Sequence, residues 1–257
     1  MRNKLTDELA VCGLNAVTAL GERHPEIINR LFLREDRLKN FTKICKQLAE
    51  RKRPYKLCED EELERICKSP HHQGVVAMIL EPVVPLLSPE ELDAWAEEGE
   101  TGLLLSPVGN DLNLGAIVRS AAFFNARYII LSGSDGDARL STAAYRTAEG
   151  GMEAVLVRQV HRPVSFVKDA SRHLLTIGAD HRSRLRIADL PLIVKENRRG
   201  REKRPGVLLV MGNEETGLPQ AVKEQCRYLL RIPGTGFPES LNVAQAAALM
   251  LHAIFEI

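Results

Sequence analysis

Hydrophobic positions change their period along this chain, and the changes mark out elements. Short apolar runs at 9–12, 27–33, 55–58 and 75–80 are bounded by charged or turn residues and predict strands. Between them, Leu38, Phe41, Ile44, Cys45 and Leu48 recur at helical spacing, which predicts a helix with one buried face. Past residue 100 the strand signal strengthens, at 103–108, 128–132, 154–160, 174–179, 207–211 and 228–232, with helical stretches between most of these runs. Alternating strands and helices predict an α/β fold with a largely parallel sheet covered on both faces. A ligand of such a sheet sits outside the carboxyl ends of its strands. From about residue 239 to the end the pattern predicts a helix whose only polar positions beyond its start are Asn242, Gln245, His252 and Glu256. A helix apolar on most sides must be buried, in its own domain or against a second subunit.

Charge divides the chain further. Residues 34–56 hold nine Lys/Arg against three acids, 81–101 hold seven acids and no base, and 181–204 hold nine Lys/Arg against three acids. The acidic block also carries Pro82, Pro85 and Pro89 and reads as a linker with a short helix over 89–98. The domains are then 1–82, a linker at 83–100, and 101–257. At 44% hydrophobic and 27% charged residues the chain reads as globular, and its net charge of +1 points to no partner by itself. No apolar run approaches the roughly 20 residues that span a bilayer, and the charged N-terminus lacks the pattern of a secretory signal. Five scattered cysteines without metal-ligand spacing predict reduced thiols in a cytoplasmic protein. His71 and His72 are adjacent, so in a strand they point apart, and no third ligand accompanies them. No metal is expected.

Three blocks carry the chemistry. In the first, Leu114, Ile117, Val118, Ala121 and Ala122 form a buried helical face, with Asn113 at the helix start and Gly115 and Arg119 four apart on another face, toward a cleft or partner. On its own this block reads as a capping Asn and a surface Arg. In the second, Met211 and Gly212 follow a strand, and Gly212 and Gly217 bracket Asn213 and Glu214, as in any strand-to-helix turn that Pro219 follows. It is no Walker loop, since Gly-Lys-Ser/Thr is missing. In the third, a strand ending at Ile232 runs into a Gly/Pro-rich turn through Gly236 and then Ser240-Leu241-Asn242.

The order and spacing of these blocks resemble the TrmH (SpoU) branch of the SPOUT RNA methyltransferases, nearest to its YfiF-like group. The resemblance is strong over 101–257. Over 8–82 it extends, through Val11 to Val17 and His71 to Ala77, to the SpoU substrate-binding domain, an L30e-like fold. It implies a deep trefoil knot at the C-terminus, S-adenosyl-L-methionine as methyl donor and a ribose 2′-hydroxyl of rRNA or tRNA as acceptor. It also implies a homodimer through the C-terminal domain that completes each active site, an arrangement in which Arg119 can serve the partner's pocket. It assigns catalytic positions to Arg119, Asn113, Glu214, Ser240 and Asn242. Cofactor contacts fall to Met211, Gly212, Asn213, Glu214, Gly217, Ile232, Gly236, Leu241 and Asn242.

A guanidinium suits phosphate gripping and stabilisation of a 2′-alkoxide better than proton abstraction, because it stays protonated. Lys39, Lys43 and Lys46 line the polar face of the 38–48 helix, followed by Arg51, Lys52 and Arg53, and together they are the expected RNA contacts. Three positions depart from the family pattern, Gly234 for Met, Ala244 for Ser and Ala148 for Ser, and bear on substrate contacts more than on reaction type. They also leave open a non-catalytic RNA-binding or assembly factor on the same fold. The role of the basic block at 181–204 is open.

Overall fold

The computed structural model describes residues 7–106, 109–133, 139–198, 203–213, 215–237 and 239–256. The chain divides into two compact units, Met1–Val83 with Arg139–Ala154, and Val84–Ala138 with Val155–Ile257. In the first, β1 (Glu8–Cys12), α1 (Leu14–Arg23), β2 (Ile28–Leu33), α2 (Leu38–Glu50), β3 (Tyr55–Leu57), α3 (Asp60–Cys67) and β4 (Val75–Leu80) follow the predicted runs. The sheet order is β1-β4-β2-β3, with β4 antiparallel to both neighbours and β2 parallel to β3. One core packs Ala10, Cys12, Val76 and Met78 of the sheet against Leu63 and Cys67 of α3. The apolar face of α2 is buried through Phe41, Ile44, Cys45 and Leu48.

In the second unit, α4 (Pro89–Glu98), β5 (Thr101–Leu105), α5 (Asp111–Phe123) and β6 (Tyr128–Leu131) come first. Next, α6 (Thr142–Ala148) belongs by its contacts to the first unit, where it packs on β1. The chain continues in the second unit with β7 (Leu156–Gln159), α7 (Pro163–Ala170), β8 (Leu175–Ala179), α8 (Leu190–Arg198), β9 (Val207–Met211), α9 (Gln220–Lys223), β10 (Tyr228–Leu230) and α10 (Val243–Phe255). Its six strands are all parallel, in the order β10-β8-β9-β5-β6-β7. Leu104, Ile130, Leu208 and Val210 pack one face of the sheet against Trp95, Val167, Ala170 and Val222. On a parallel sheet, strands buried on both faces are continuously apolar, as Leu103 to Leu105 and Val207 to Met211 are.

Two expectations change here. The acidic 83–100 stretch is not a loose tether. Its helix, α4, buries Trp95 completely, with the indole stacked on Tyr128 at 4.6 Å and its N–H donating to the Glu100 carbonyl at 2.9 Å. Glu90, Asp93, Glu97 and Glu98 lie on the solvent side, and the aromatic anchor outweighs their same-sign charge. The final helix begins at Val243 rather than near 239, because the Asn242 side chain accepts the Ala244 N–H at 2.9 Å and caps it there.

Candidate active site

A cavity of about 540 Å³ opens at the carboxyl ends of β8, β9 and β10, where a parallel sheet presents its ligand site. Its size falls within the 300–1,000 Å³, roughly, of small-molecule pockets. Met211, Gly212, Asn213, Gly217, Ile232, Gly236 and Leu241, all expected cofactor contacts, line it, and so does Ser240. Glu214 lies outside the described residues.

The second block is a tight hairpin. The N–H groups of Asn213 and Gly217 donate to each other's carbonyls at 3.2 and 2.9 Å. The Asn213 side-chain oxygen accepts the N–H groups of Glu215 and Thr216 at 2.9 and 3.2 Å, so that side chain shapes the loop. A Cβ on Gly212 would stand 2.3 Å from the Gly217 carbonyl carbon and 2.4 Å from the Leu218 nitrogen. Only glycine permits that approach of backbone to backbone, and Gly217 itself sits at φ +68°.

Blocks one and three meet. Asn242 Nδ2 donates to Asn113 Oδ1 at 3.1 Å, across 129 residues of sequence. Asn113 is therefore not the helix cap. Asn110 caps α5, accepting the Leu112 N–H at 2.8 Å, and Asn113 stands in the first turn, where it meets the last block. Asn242 is not among the cavity's lining residues. Gly115 is buried, not turned to a cleft. Arg119 is exposed, lines no part of the cavity and pairs with no described residue. Six residues separate it from Asn113, about 9 Å along a helix. Leu112, Arg119 and Phe123 share one stripe of α5, and both apolar members are exposed, Phe123 to 82%.

The cavity also has a wall that the motifs do not name. Asp180 and Lys223 both line it and pair at 2.8 Å, with Asp180 only 9% exposed. Burial pushes the Asp180 carboxyl up, but hydrogen bonds from Lys223 and the Arg182 amide outweigh it and hold the group below the usual carboxylate range. Asp180 directly follows a predicted strand, the position where a site was to be expected. Lys223, in a short helix, carried no such signal.

Among the expected RNA contacts, Lys39, Lys43, Lys46, Arg51 and Lys52 are exposed. Arg53 is a structural group instead: its guanidinium donates to the carbonyls of Glu26 at 2.6 Å and Ile28 at 2.5 Å and ties the end of α2 to the start of β2. His72 is buried and its ring accepts the Gly74 N–H at 3.1 Å, a turn-forming role. No cluster of three potential metal ligands occurs among the described residues. No helix among them is long and apolar enough to cross a membrane.

A parallel sheet with a cofactor-sized cavity at its strand ends, walled by a glycine hairpin and a polar turn, defines an α/β protein built to hold a small organic ligand beside a polar pair. Residues 100–252 match the SpoU rRNA Methylase family, and residues 10–82 match the RNA 2′-O ribose methyltransferase substrate binding family. The chain belongs to the SpoU rRNA methylase family. Among its relatives, the 23S rRNA (guanosine-2′-O-)-methyltransferase RlmB of Acinetobacter baylyi is 31% identical over 93% of this chain and 94% of its own length. YfiF of Escherichia coli O157:H7, an uncharacterized tRNA/rRNA methyltransferase, is 28% identical over 98% of this chain and 69% of its own. The AdoMet-bound rRNA methyltransferase from Sinorhizobium meliloti shares the fold, with TM-score 0.74 and 24% identity over 97% of this chain and 87% of that one. The SpoU methyltransferase AviRb from Streptomyces viridochromogenes does likewise, with TM-score 0.74 and 22% identity over 100% and 93%.

Proposed function

We propose that this protein is an S-adenosyl-L-methionine-dependent methyltransferase that modifies a ribose 2′-hydroxyl of rRNA or tRNA. The observation that carries the reading is the Asn242–Asn113 hydrogen bond beside the cavity, which joins the first and last blocks at one place. The residues present fit the cofactor. Apolar Met211, Leu218, Leu230 and Ile232 suit a base, and the hairpin brings its backbone to the wall. Glu215 suits a cationic ligand. S-adenosylmethionine, when bound, supplies an electrophilic methyl group on a sulfonium. This chain's part is positional: the hairpin and the 232–241 turn hold the donor, and Ser240, Asn242 and Asn113 fix the ribose for in-line approach. Glu214 joins them on the family's pattern.

Arg119 stabilises the alkoxide or grips the adjacent phosphate, and it does so in the partner's pocket. Its exposure between Leu112 and Phe123 supports this, as does exposed Leu249 on α10, which packs along α5. These residues form the homodimer face of the C-terminal domain. On the family's pattern that domain carries the trefoil knot. The N-terminal domain is L30e-like and presents RNA with Lys39, Lys43, Lys46, Arg51 and Lys52. The protein works in the cytoplasm, where its RNA is.

The test is transfer of labelled methyl to deproteinised bacterial RNA, with calorimetry of S-adenosylmethionine binding in parallel. Arg119→Ala should lower transfer on the order of 10²-fold with cofactor affinity retained. Undiminished labelling in that variant removes Arg119 from the mechanism. A folded parent chain that binds RNA but no S-adenosylmethionine favours the non-catalytic RNA-binding factor instead.

A further inference from the structure

The basic block after β8 is tied to β10 through its first residues. Ser183 Oγ donates to the Leu229 carbonyl at 2.5 Å, the Arg231 N–H to the Leu185 carbonyl at 2.9 Å, and the Ile187 N–H to the Arg231 carbonyl at 2.9 Å. Residues 183–187 are thereby laid along the end of β10, and Arg186 pairs with Arg231 as a parallel bridge. Residues paired in this way project to the same side, and like charges so placed repel. Arg182, Arg184, Arg186 and Arg231 are all exposed, and none forms an ion pair with a described carboxylate. The nearby acids are already engaged: Asp180 with Lys223 at 2.8 Å, Glu239 with His181 at 3.4 Å, and Asp189 with the Arg186 N–H at 2.7 Å. Arg182 and Arg231 also line the cavity mouth. Four guanidinium groups without a carboxylate partner among the described residues thus lie on this loop and the end of β10, two of them at the cavity mouth, and Arg182 Nε donates only to the His181 ring, at 3.2 Å.

We propose that this arginine strip is a second RNA-binding surface, which grips backbone phosphates flanking the target nucleotide. The inference rests on the methyl-transfer reading for the identity of the polyanion. Folding alone gains nothing from setting Arg186 beside Arg231. A phosphate between them offsets the repulsion and gives each guanidinium a matching acceptor. The strip is separate from the lysines of α2, so the catalytic unit carries its own anchor for the strand it modifies.

The experiment measures binding of a short fluorescein-labelled single-stranded RNA of mixed sequence across a salt series, with calorimetry of S-adenosylmethionine alongside. Neither Arg184 nor Arg186 lines the cavity. In the full chain, Arg184→Gln with Arg186→Gln should weaken RNA binding about tenfold at low salt and flatten the log–log salt slope by about 1.4, two phosphate contacts' worth. Cofactor affinity should stay that of the parent. Arg184→Lys with Arg186→Lys should restore the slope. Should the double variant fold poorly, Arg184→Gln alone should flatten the slope by about 0.7. Parental RNA affinity and slope in the glutamine variants, with cofactor binding intact, overturn the strip and leave methyl transfer standing. A parent chain that binds no S-adenosylmethionine overturns the methyl-transfer reading and the strip with it.

Discussion

Two residues of the site separate shape from chemistry. Gly212→Ala drives a methyl group into the backbone of Gly217 and Leu218, a cost of about 2 kcal/mol or more unless the hairpin moves. Thermal unfolding should show a lower Tm, and calorimetry should show S-adenosylmethionine binding weakened at least about tenfold. Unchanged values in both would mean the hairpin does not shape the pocket. Asn242 has two duties, capping α10 and holding Asn113. Asn242→Ser keeps a good cap but is too short to reach Asn113. It should unfold like the parent while methyl transfer falls, whereas Asn242→Ala should also lose about 1 kcal/mol of stability. A serine variant of full activity would reduce Asn242 to a cap. Much of this was legible in the chain: glycines after a strand announce close backbone approach, and Asn242 precedes an apolar run. The meeting of Asn113 with Asn242 was not, because a 129-residue separation leaves no trace in local spacing. Arg53 misled for a related reason, since its sequence neighbours are basic but its acceptors are carbonyls of another element.

At the scale of elements, apolar runs in the chain anticipated every strand of both sheets to within a few residues, and in the all-parallel second sheet the central strands are continuous apolar runs because they are buried on both faces. What composition hid was the packing of α4. Its helix span, 89–98, was expected, and a capping box starts it, with the Ser88 and Glu91 N–H groups each bonded to the other's side chain at 3.2 Å. Its docking depends on Trp95 and on Glu91, whose carboxylate takes Arg158 Nη2 at 2.7 Å and Nε at 2.9 Å. That hydrogen bonding holds Glu91 below the usual carboxylate range, against the opposing effect of burial. A depressed carboxylate stabilises the fold above its unfolded-state pKa, and the contribution disappears as pH falls through the lowered value. Arg158→Met should therefore destabilise by about 1–2 kcal/mol at neutral pH. Urea titrations should show parent and variant converging as the solution is acidified below the carboxylate range. A gap that persists in acid would assign the loss to packing rather than to the pair.

On the proposed reading, the whole molecule works as two copies. One chain brings the cavity, Ser240 and the Asn113–Asn242 pair together but leaves Arg119 outside, on a stripe with Leu112 and Phe123. Phe123→Glu with Leu249→Glu should give a monomer by sedimentation velocity and abolish transfer. A variant that remains dimeric would place the interface elsewhere. Periodicity in one chain carries no information on whether its arginine serves another chain's pocket, which is why the proposal needs this test. The central claim, methylation of a ribose oxygen, is tested most directly by chemical mapping of the product. RNA from cells lacking the gene is incubated with the protein and S-adenosylmethionine, digested to nucleosides and analysed by mass spectrometry. The account predicts one new nucleoside whose added methyl stays with the sugar on fragmentation, formed on the order of 10²-fold more slowly with Arg119→Ala. A methyl that stays with the base, or no methylated product from a cofactor-binding dimer on any cellular RNA, would contradict it.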